Sequence, residues 1–367
     1  MVSESFPLIY VLICILVAIC LYKDTNKLLL LGTSIFMTVV VLLRGIGVGT
    51  DYEQYVLNFK YNIVSLDFEF GDNFGLDSGF ANLIFYFKQI SSNYFIFYGL
   101  VYIVYYFGLS RYAKSKNISY GWFLFLFFFL GYYFMSFNII RQLMTIAIVL
   151  LFMPLLENKR YTMYALVIII VSFFFHKSEI EMLLLIPIHY FSNKSNKINK
   201  PLLIFLLMSS FTLFYIGRTF IYDYLSSLMS LIQVNNQYGV YIDRIDARDG
   251  FGNMTSLLFT SFACFLVICK CPTTHIFETN AVVFSYVLFN IGNILASQAT
   301  RVYLDFNIII LVLIPLMISE KGTLFQRSFK IVTIMLCLIY FGYSYVINNR
   351  DGIKPYYFLF ESNEKIR

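Results

Sequence analysis

Three arginines stand at the ends of long apolar runs: Arg44, Arg141 and Arg301. A guanidinium group binds phosphate through two parallel hydrogen bonds and stays charged where water is scarce. Because a charge at the centre of a membrane helix costs roughly 2.5–3.5 kcal/mol, we expect these side chains to face a water-filled cavity. They therefore predict a site for a phosphorylated anion. Alternatively, each arginine only anchors a helix end at the membrane surface, and Arg301 pairs with Asp305 one turn later.

His176 ends another apolar run, in the segment FFFHKSEIE. Its imidazole can accept a proton near neutral pH, which makes it our first candidate for a general base, and Glu179 lies one turn further on to orient it. Asp51 is the second candidate. A histidine at a helix boundary can also be an ordinary hydrogen-bonded residue. No second histidine or cysteine accompanies His176 on its predicted side of the membrane, so we expect no metal site.

The glycine-rich segment Arg44–Tyr52, RGIGVGTDY, has glycines at three alternating positions. Such a turn can bring backbone N–H groups close to a pyrophosphate. It lacks the lysine of a nucleotide-binding phosphate loop and follows an apolar helix, so nucleotide binding is not expected. The alternative is a helix end followed by a tight turn.

A second polar segment, NNQYGVYIDRIDARDGFGN, combines Tyr238, Tyr241 and Arg244 with several aspartates. Aromatic rings can pack on the apolar faces of sugars while the charged groups bind sugar hydroxyls, so this composition suits a glycan-binding surface. The aspartates could instead hold a divalent cation on a pyrophosphate. A solvated loop without a ligand is the simpler interpretation.

The elements that carry these residues must be membrane helices. The chain is 59% apolar and 13% charged, whereas soluble domains carry about 25% charged residues. Since a spanning helix needs about 20 apolar residues, we predict an all-α, polytopic transmembrane bundle of about 12 spans, with residues 1–367 forming a single integral membrane domain. The predicted spans lie near 5–22, 28–43, 94–110, 120–136, 138–155, 161–175, 178–191, 201–217, 254–270, 278–297, 302–318 and 329–346.

The basic residues give the orientation. With the first connection placed in the cytoplasm, alternate short connections hold 14 of the 27 basic residues, and such an excess of Lys and Arg is typical of the cytoplasmic side. Both termini and the long loops 44–93 and 218–253 are then predicted to lie outside the cytoplasm. Residues 79–90 are apolar but too short to span, which favours an interfacial helix. No dense basic cluster interleaved with aromatics is present, so nucleic acid is not an expected partner.

Five motifs together resemble the EpsG-like branch of the Wzy polysaccharide polymerases. The motifs are RGIGVGTDYEQY (44–55), DSGF (77–80), NIIRQ (138–142), FFHKS (174–178) and TRVYLDF (300–306). The resemblance implies a glycosyltransferase of GT-C type that uses a lipid-linked donor and no metal or other cofactor. Such proteins polymerise O-antigen, capsule or exopolysaccharide repeat units on undecaprenyl pyrophosphate, at the outer face of the bacterial cytoplasmic membrane.

The residue types and the resemblance together predict roles for individual residues. His176 or Asp51 would be the catalytic base, and Arg141 and Arg301, assisted by Arg44 or Arg244, would bind the pyrophosphate. The expected glycan-binding residues are Tyr52, Gln142, Tyr238, Tyr241 and Tyr303. Relatives tend to have a Glu-Pro-Gly-like turn where this chain has Asp77-Ser78-Gly79, so the resemblance assigns no role to Asp77.

The expected partners are lipid-linked glycans as donor and acceptor, membrane lipid and a chain-length regulator protein. Two other functions stay open. A lipid-linked oligosaccharide flippase would also have about twelve spans, although its charges should follow a central cavity near the midplane. An O-antigen ligase would use the same donor and transfer the glycan to the lipid A core.

Overall fold

A computed structural model of the chain describes residues 6–63, 77–195, 197–232, 249–268, 275–295, 302–319 and 324–360. Within these ranges the chain is helical, apart from one antiparallel bridge between Arg44 and Phe358 and the turns that join the helices. Two compact units are formed, one by Met1–Ile180 with Lys321–Arg367 and the other by Glu181–Glu320. We call them the first and second units.

The first unit contains most of the helices. They are α1 (Leu8–Tyr22), α2 (Lys27–Leu42), α3 (Tyr52–Leu57, continued by a π-turn at Asn58–Asn62), α4 (Ser78–Ile90), α5 (Tyr94–Ser115), α6 (Tyr120–Phe129), α7 (Tyr132–Met135), α8 (Ile140–Leu151), α9 (Met153–Glu157) and α10 (Tyr161–Phe174). A 3-10 helix, Lys177–Leu184, leads into the second unit. That unit contains α11 (Leu185–Lys194), α12 (Lys200–Ile232), α13 (Asp249–Ile268), α14 (Ile276–Leu295), α15 (Tyr303–Asn307) and α16 (Ile310–Ser319). The chain then returns to the first unit as α17 (Leu324–Phe341) and a π-turn, Gly342–Ile347.

Each predicted apolar run contains helix, and most helix ends lie within a few residues of the expected positions. The run 120–136 is divided into α6 and α7 at Gly131. The backbone of Gly131 is left-handed, with φ of 85°, and interrupts the helix there. The predicted span 201–217 is shorter than the observed helix. Helix α12 continues to Ile232, so the first residues of the predicted loop 218–253 are helical. The predicted interfacial segment 79–90 forms α4.

The outer surface of the first unit is apolar. On α1 one face is buried, while Leu8, Leu12, Ile15 and Ile19 are exposed at intervals of three or four residues. A water-soluble helix would carry polar side chains on that face. Among the residues that the structure describes, one helical stretch, Gln326–Ile347, is long and apolar enough to cross a membrane, and nine stretches of 10–17 residues are also apolar. Which helices cross the membrane therefore stays a prediction.

Inside the first unit, α6 is buried along almost its whole length. Helices α5 and α8 approach closely at Gly108, where an added methyl group would overlap Ala147. Small residues permit such close packing in membrane bundles. The first turn of α8 carries Arg141.

The connections of the first unit gather at two ends. At one end Asp24 accepts a hydrogen bond from the backbone of Gly121, and Lys116 pairs with Glu157 at 2.9 Å. These residues belong to connections that the basic residues predict to be cytoplasmic. The other end collects the connections predicted to be extracytoplasmic, and it contains the site described below.

The second unit has a buried polar network in its core. Asn290 on α14 donates to Ser210 on α12 and to Thr260 on α13, both at 3.0 Å, and accepts from Ser256. Hydrogen bonds of this kind join apolar helices where water is absent. The network therefore connects three helices of the unit.

Candidate functional site

A cluster of three side chains brings together three of the sequence motifs. Oδ2 of Asp77 lies 2.9 Å from Nη1 of Arg141 and 3.3 Å from Nδ1 of His176. The Asp77 side chain is 7% exposed, whereas those of Arg141 and His176 are 14% and 25% exposed. One buried carboxylate therefore holds a cation and an imidazole that both retain some access to solvent. We call these residues the Asp77 cluster.

Local structure explains how Asp77 reaches both partners. Asp77 occupies the N-cap position of α4, but its side chain makes no capping bond there and is directed to Arg141 and His176. Gly79 lies in the first turn of α4, where an added methyl group would overlap the carbonyl of Phe174 at the end of α10. Because glycine has no Cβ, α4 can approach the end of α10. This approach brings Asp77 to His176, two residues after Phe174.

The charges favour an ionised Asp77. Burial by itself raises the pKa of Asp77, but the hydrogen bond with His176 and the positive charges of Arg141 and Lys177 outweigh it, so the pKa lies below its ordinary value. An ionised carboxylate only accepts hydrogen bonds, so Nδ1 of His176 must donate to it. In a neutral imidazole this leaves Nε2 as the proton acceptor. The arrangement therefore suits general base catalysis.

Arg44 lies in a closed cage and not at a surface. Its side chain is fully buried, and its guanidinium lies 3.7 Å from the centre of the Tyr52 ring. The hydrogen-bond acceptors are the carbonyl oxygens of Val41, Val48 and Phe137 and the hydroxyl of Tyr102. No exposed surface of Arg44 is available to a pyrophosphate in this geometry. The arrangement indicates a structural role for Arg44, and its predicted contact with a pyrophosphate stays a prediction.

Asp51 lies at the start of α3, and its carboxylate accepts a hydrogen bond of 2.9 Å from the Thr50 hydroxyl. Its backbone is held by Asn138, whose side-chain oxygen accepts from the N–H groups of Thr50 at 2.7 Å and Asp51 at 3.3 Å. Asn138 stands three residues before Arg141. It therefore connects the glycine-rich segment to the start of α8.

The remaining predicted site residues are placed as follows. Tyr52 is buried between the Arg44 guanidinium and the ring of Tyr98, and Gln142 is buried in α8. In the second unit, Tyr303 is buried against Phe259 and Phe289. Tyr238, Tyr241, Arg244 and Arg301 lie outside the described residues. Their predicted contacts with glycan or pyrophosphate stay predictions.

Two residues of the site were not found from the sequence. Asp77 was given no role because its motif departs from the family pattern, yet it joins Arg141 to His176. Asn138 belongs to the motif NIIRQ, but the motif alone gives it no role. The nearby Gly79 could have indicated that Asp77 is close to another segment, because glycine permits a close backbone approach.

The structure gives no support for assigning a metal to the Asp77 cluster. Among the residues it describes, no three His, Cys, Asp or Glu side chains are grouped to hold a metal ion. The cluster offers one carboxylate and one imidazole, and the arginine beside them would repel a cation. The predicted absence of a cofactor stays a prediction.

Comparison with known proteins gives one match. The sequence model of the EpsG family matches residues 27–358, nearly the whole chain. The chain belongs to the EpsG family. Neither the curated proteins nor the solved structures contain a match. EpsG membership, the helical fold and the apolar outer surface indicate a membrane protein of polysaccharide biosynthesis, in a family associated with glycosyltransferase-like polymerases.

The family match includes all three residues of the Asp77 cluster as well as Arg44 and Asp51. The match covers nearly the whole chain, so it does not single out these residues.

Proposed function

We propose that this EpsG-family protein is a membrane glycosyltransferase. It would polymerise oligosaccharide repeat units carried on undecaprenyl pyrophosphate into O-antigen, capsule or exopolysaccharide, at the outer face of the bacterial cytoplasmic membrane. The observation that carries the proposal is the hydrogen bond between Asp77 and His176 beside Arg141. This cluster offers a base and an anion-binding cation within one small region.

In the proposed reaction His176 acts on the acceptor. Nε2 takes the proton from a hydroxyl of one lipid-linked repeat unit as that oxygen attacks the anomeric carbon of the growing glycan. The protonated imidazole is then stabilised by the carboxylate of Asp77, which also fixes the ring orientation. Asp51 is the second candidate for the base. It lies at the start of α3 and carries an accessible carboxylate.

Arg141 acts on the leaving group. The bond between the anomeric carbon and the pyrophosphate oxygen breaks, and its electron pair leaves with undecaprenyl pyrophosphate. A fixed guanidinium stabilises this developing negative charge more in the transition state than in the ground state. Arg301 and Arg244 are proposed to assist. The energy comes from the pyrophosphate linkage, so no nucleotide is needed.

The test is reconstitution of the purified protein in liposomes with lipid-linked repeat units extracted from a strain lacking this gene. We expect a ladder of longer glycans on carbohydrate gels, together with free undecaprenyl pyrophosphate. Repeat units that change leaflet without growing would indicate a flippase. Glycan transferred only to added lipid A core would indicate a ligase. Either result would refute the polymerase.

A further inference from the structure

The C-terminal segment, Asp351–Leu359, packs against the glycine-rich segment. Three backbone hydrogen bonds join them or their ends: Gly45 N–H to Tyr357 O at 2.8 Å, Gly49 N–H to Gly352 O at 2.9 Å, and Leu359 N–H to Leu43 O at 2.8 Å. Two of these donors are the N–H groups of Gly45 and Gly49. Because they already donate to the C-terminal segment, they are not available to a bound anion in this geometry. The glycine-rich segment is therefore a docking surface for the end of the chain.

Two of the glycines, Gly45 and Gly47, leave room for one aromatic ring. Tyr357 lies so close to Gly45 and Gly47 that a methyl group on either glycine would overlap it. The two overlaps differ in position: at Gly45 the methyl group would meet the ring carbons, whereas at Gly47 it would meet mainly the hydroxyl. This difference allows each contact to be tested separately.

Asn138 joins the C-terminal segment to the site. Its side-chain oxygen accepts from the backbone of Thr50 and Asp51, and its Nδ2 donates to the carbonyl of Asp351 at 2.9 Å. The side chain is 3% exposed, so these bonds are shielded from water. One amide therefore connects three segments: the glycine-rich segment, the start of α8 and the C-terminal segment.

We propose that the C-terminal segment and Asn138 are positioning elements of the site. They hold the glycine-rich segment against the start of α8, and so fix Asp51 and Arg141 in position toward a substrate. The inference rests on the proposed function for one point, that the substrate is a lipid-linked glycan. Neither element needs to touch the reacting atoms, since a displacement of the site residues by about 1 Å is enough to slow a reaction about 100-fold.

The experiment compares Gly47→Ala, Gly45→Ala and each of these combined with Tyr357→Phe. Two properties are measured on each purified protein: the rate at which a protease releases a tag placed after Arg367, and the rate of glycan transfer in liposomes. Removing the Tyr357 hydroxyl relieves the overlap at position 47 and leaves the overlap at position 45. Gly45→Ala with Tyr357→Phe is therefore the matched control.

For Gly47→Ala we expect about tenfold faster tag release and about tenfold slower transfer. Adding Tyr357→Phe should restore both rates, whereas the same addition to Gly45→Ala should restore neither. Unchanged tag release in Gly47→Ala would overturn the docking. Faster release with unchanged transfer would overturn the positioning role. If the wild-type protein transfers no glycan, the proposed function fails, and tag release still decides whether the segment docks as inferred.

Discussion

Arg44 and Arg141 occupy two regions of the first unit with different surroundings. Around Arg44 the hydrogen-bond acceptors are backbone carbonyls and one tyrosine hydroxyl, and the side chain is fully buried. Arg141 shares a carboxylate with His176 and is partly exposed. An arginine surrounded by carbonyls fixes the backbone that supplies them. An arginine that pairs with a carboxylate and is partly exposed can also bind an anionic ligand.

The largest expected effect is on the free energy of unfolding, which should distinguish the structural role of Arg44 from the ligand-binding role of Arg141. Arg44→Leu removes the donor from buried acceptors, so we expect a loss of about 3 kcal/mol or more in the free energy of unfolding. Arg141→Leu should cost less than Arg44→Leu, because it leaves one carboxylate that His176 still contacts, whereas Arg44→Leu leaves four buried acceptors without their donor. Thermal unfolding in detergent measures both. Equal losses in the two variants would contradict the distinction.

Lysine substitutions separate the same roles by activity. Arg141→Lys keeps the charge but loses the planar fork, and we expect glycan transfer to slow about 100-fold with stability unchanged. In Arg44→Lys the cage loses hydrogen bonds, so the folded fraction should fall while the transfer rate per folded molecule falls less than in Arg141→Lys. Transfer assays corrected for folded protein decide this. Wild-type polymer ladders from Arg141→Lys would remove Arg141 from pyrophosphate binding.

A smaller effect is expected where α4 meets α10. Gly79→Ala should push α4 away from Phe174 and separate Asp77 from His176, with transfer about tenfold slower. Gly32→Ala on α2 is the matched control, because nothing lies within 4 Å of the added methyl group. It should leave the rate unchanged. If Gly79→Ala behaves like the control, the close approach of α4 does not determine the geometry of the cluster.

The smallest effect concerns acid stability. Since the pKa of Asp77 is lower in the folded protein than in the unfolded chain, the carboxylate contributes stability above its ordinary pKa of about 4. That contribution is lost as the pH falls through the lower folded value. The stability difference between wild type and Asp77→Asn should therefore shrink below about pH 4. A difference that stays constant with pH would show that Asp77 is not ionised in the folded state.

The helices were predictable from the sequence, whereas the surroundings of the charged residues were not. Long apolar runs give the positions of α1, α2 and α10 within a few residues, because burial of apolar surface requires such runs. Arg44 and Arg141 both lie at the boundary of an apolar run. This pattern therefore does not show that Arg44 is enclosed whereas Arg141 is partly exposed. The acceptors that enclose Arg44 include Phe137, which is distant in sequence and is brought close only by folding.

Asp77 and the glycine-rich segment show the same limit. The position of Asp77 depends on how closely α4 approaches α10, which a comparison of motifs does not contain. The alternating glycines suggested an approach to a ligand. Tyr357 packs against Gly45 and Gly47, and the sequence gives no direct sign that these two distant segments meet.

The most direct test of the account is the rate of glycan transfer by His176→Ala. The central claim is that His176, oriented by Asp77, is the base. Purified His176→Ala should unfold at the temperature of the wild type, to within a few degrees, and transfer glycan about 1000-fold more slowly, leaving single repeat units on the lipid carrier. A rate close to that of the wild type would contradict the claim, and Asp51 would then be the base to examine.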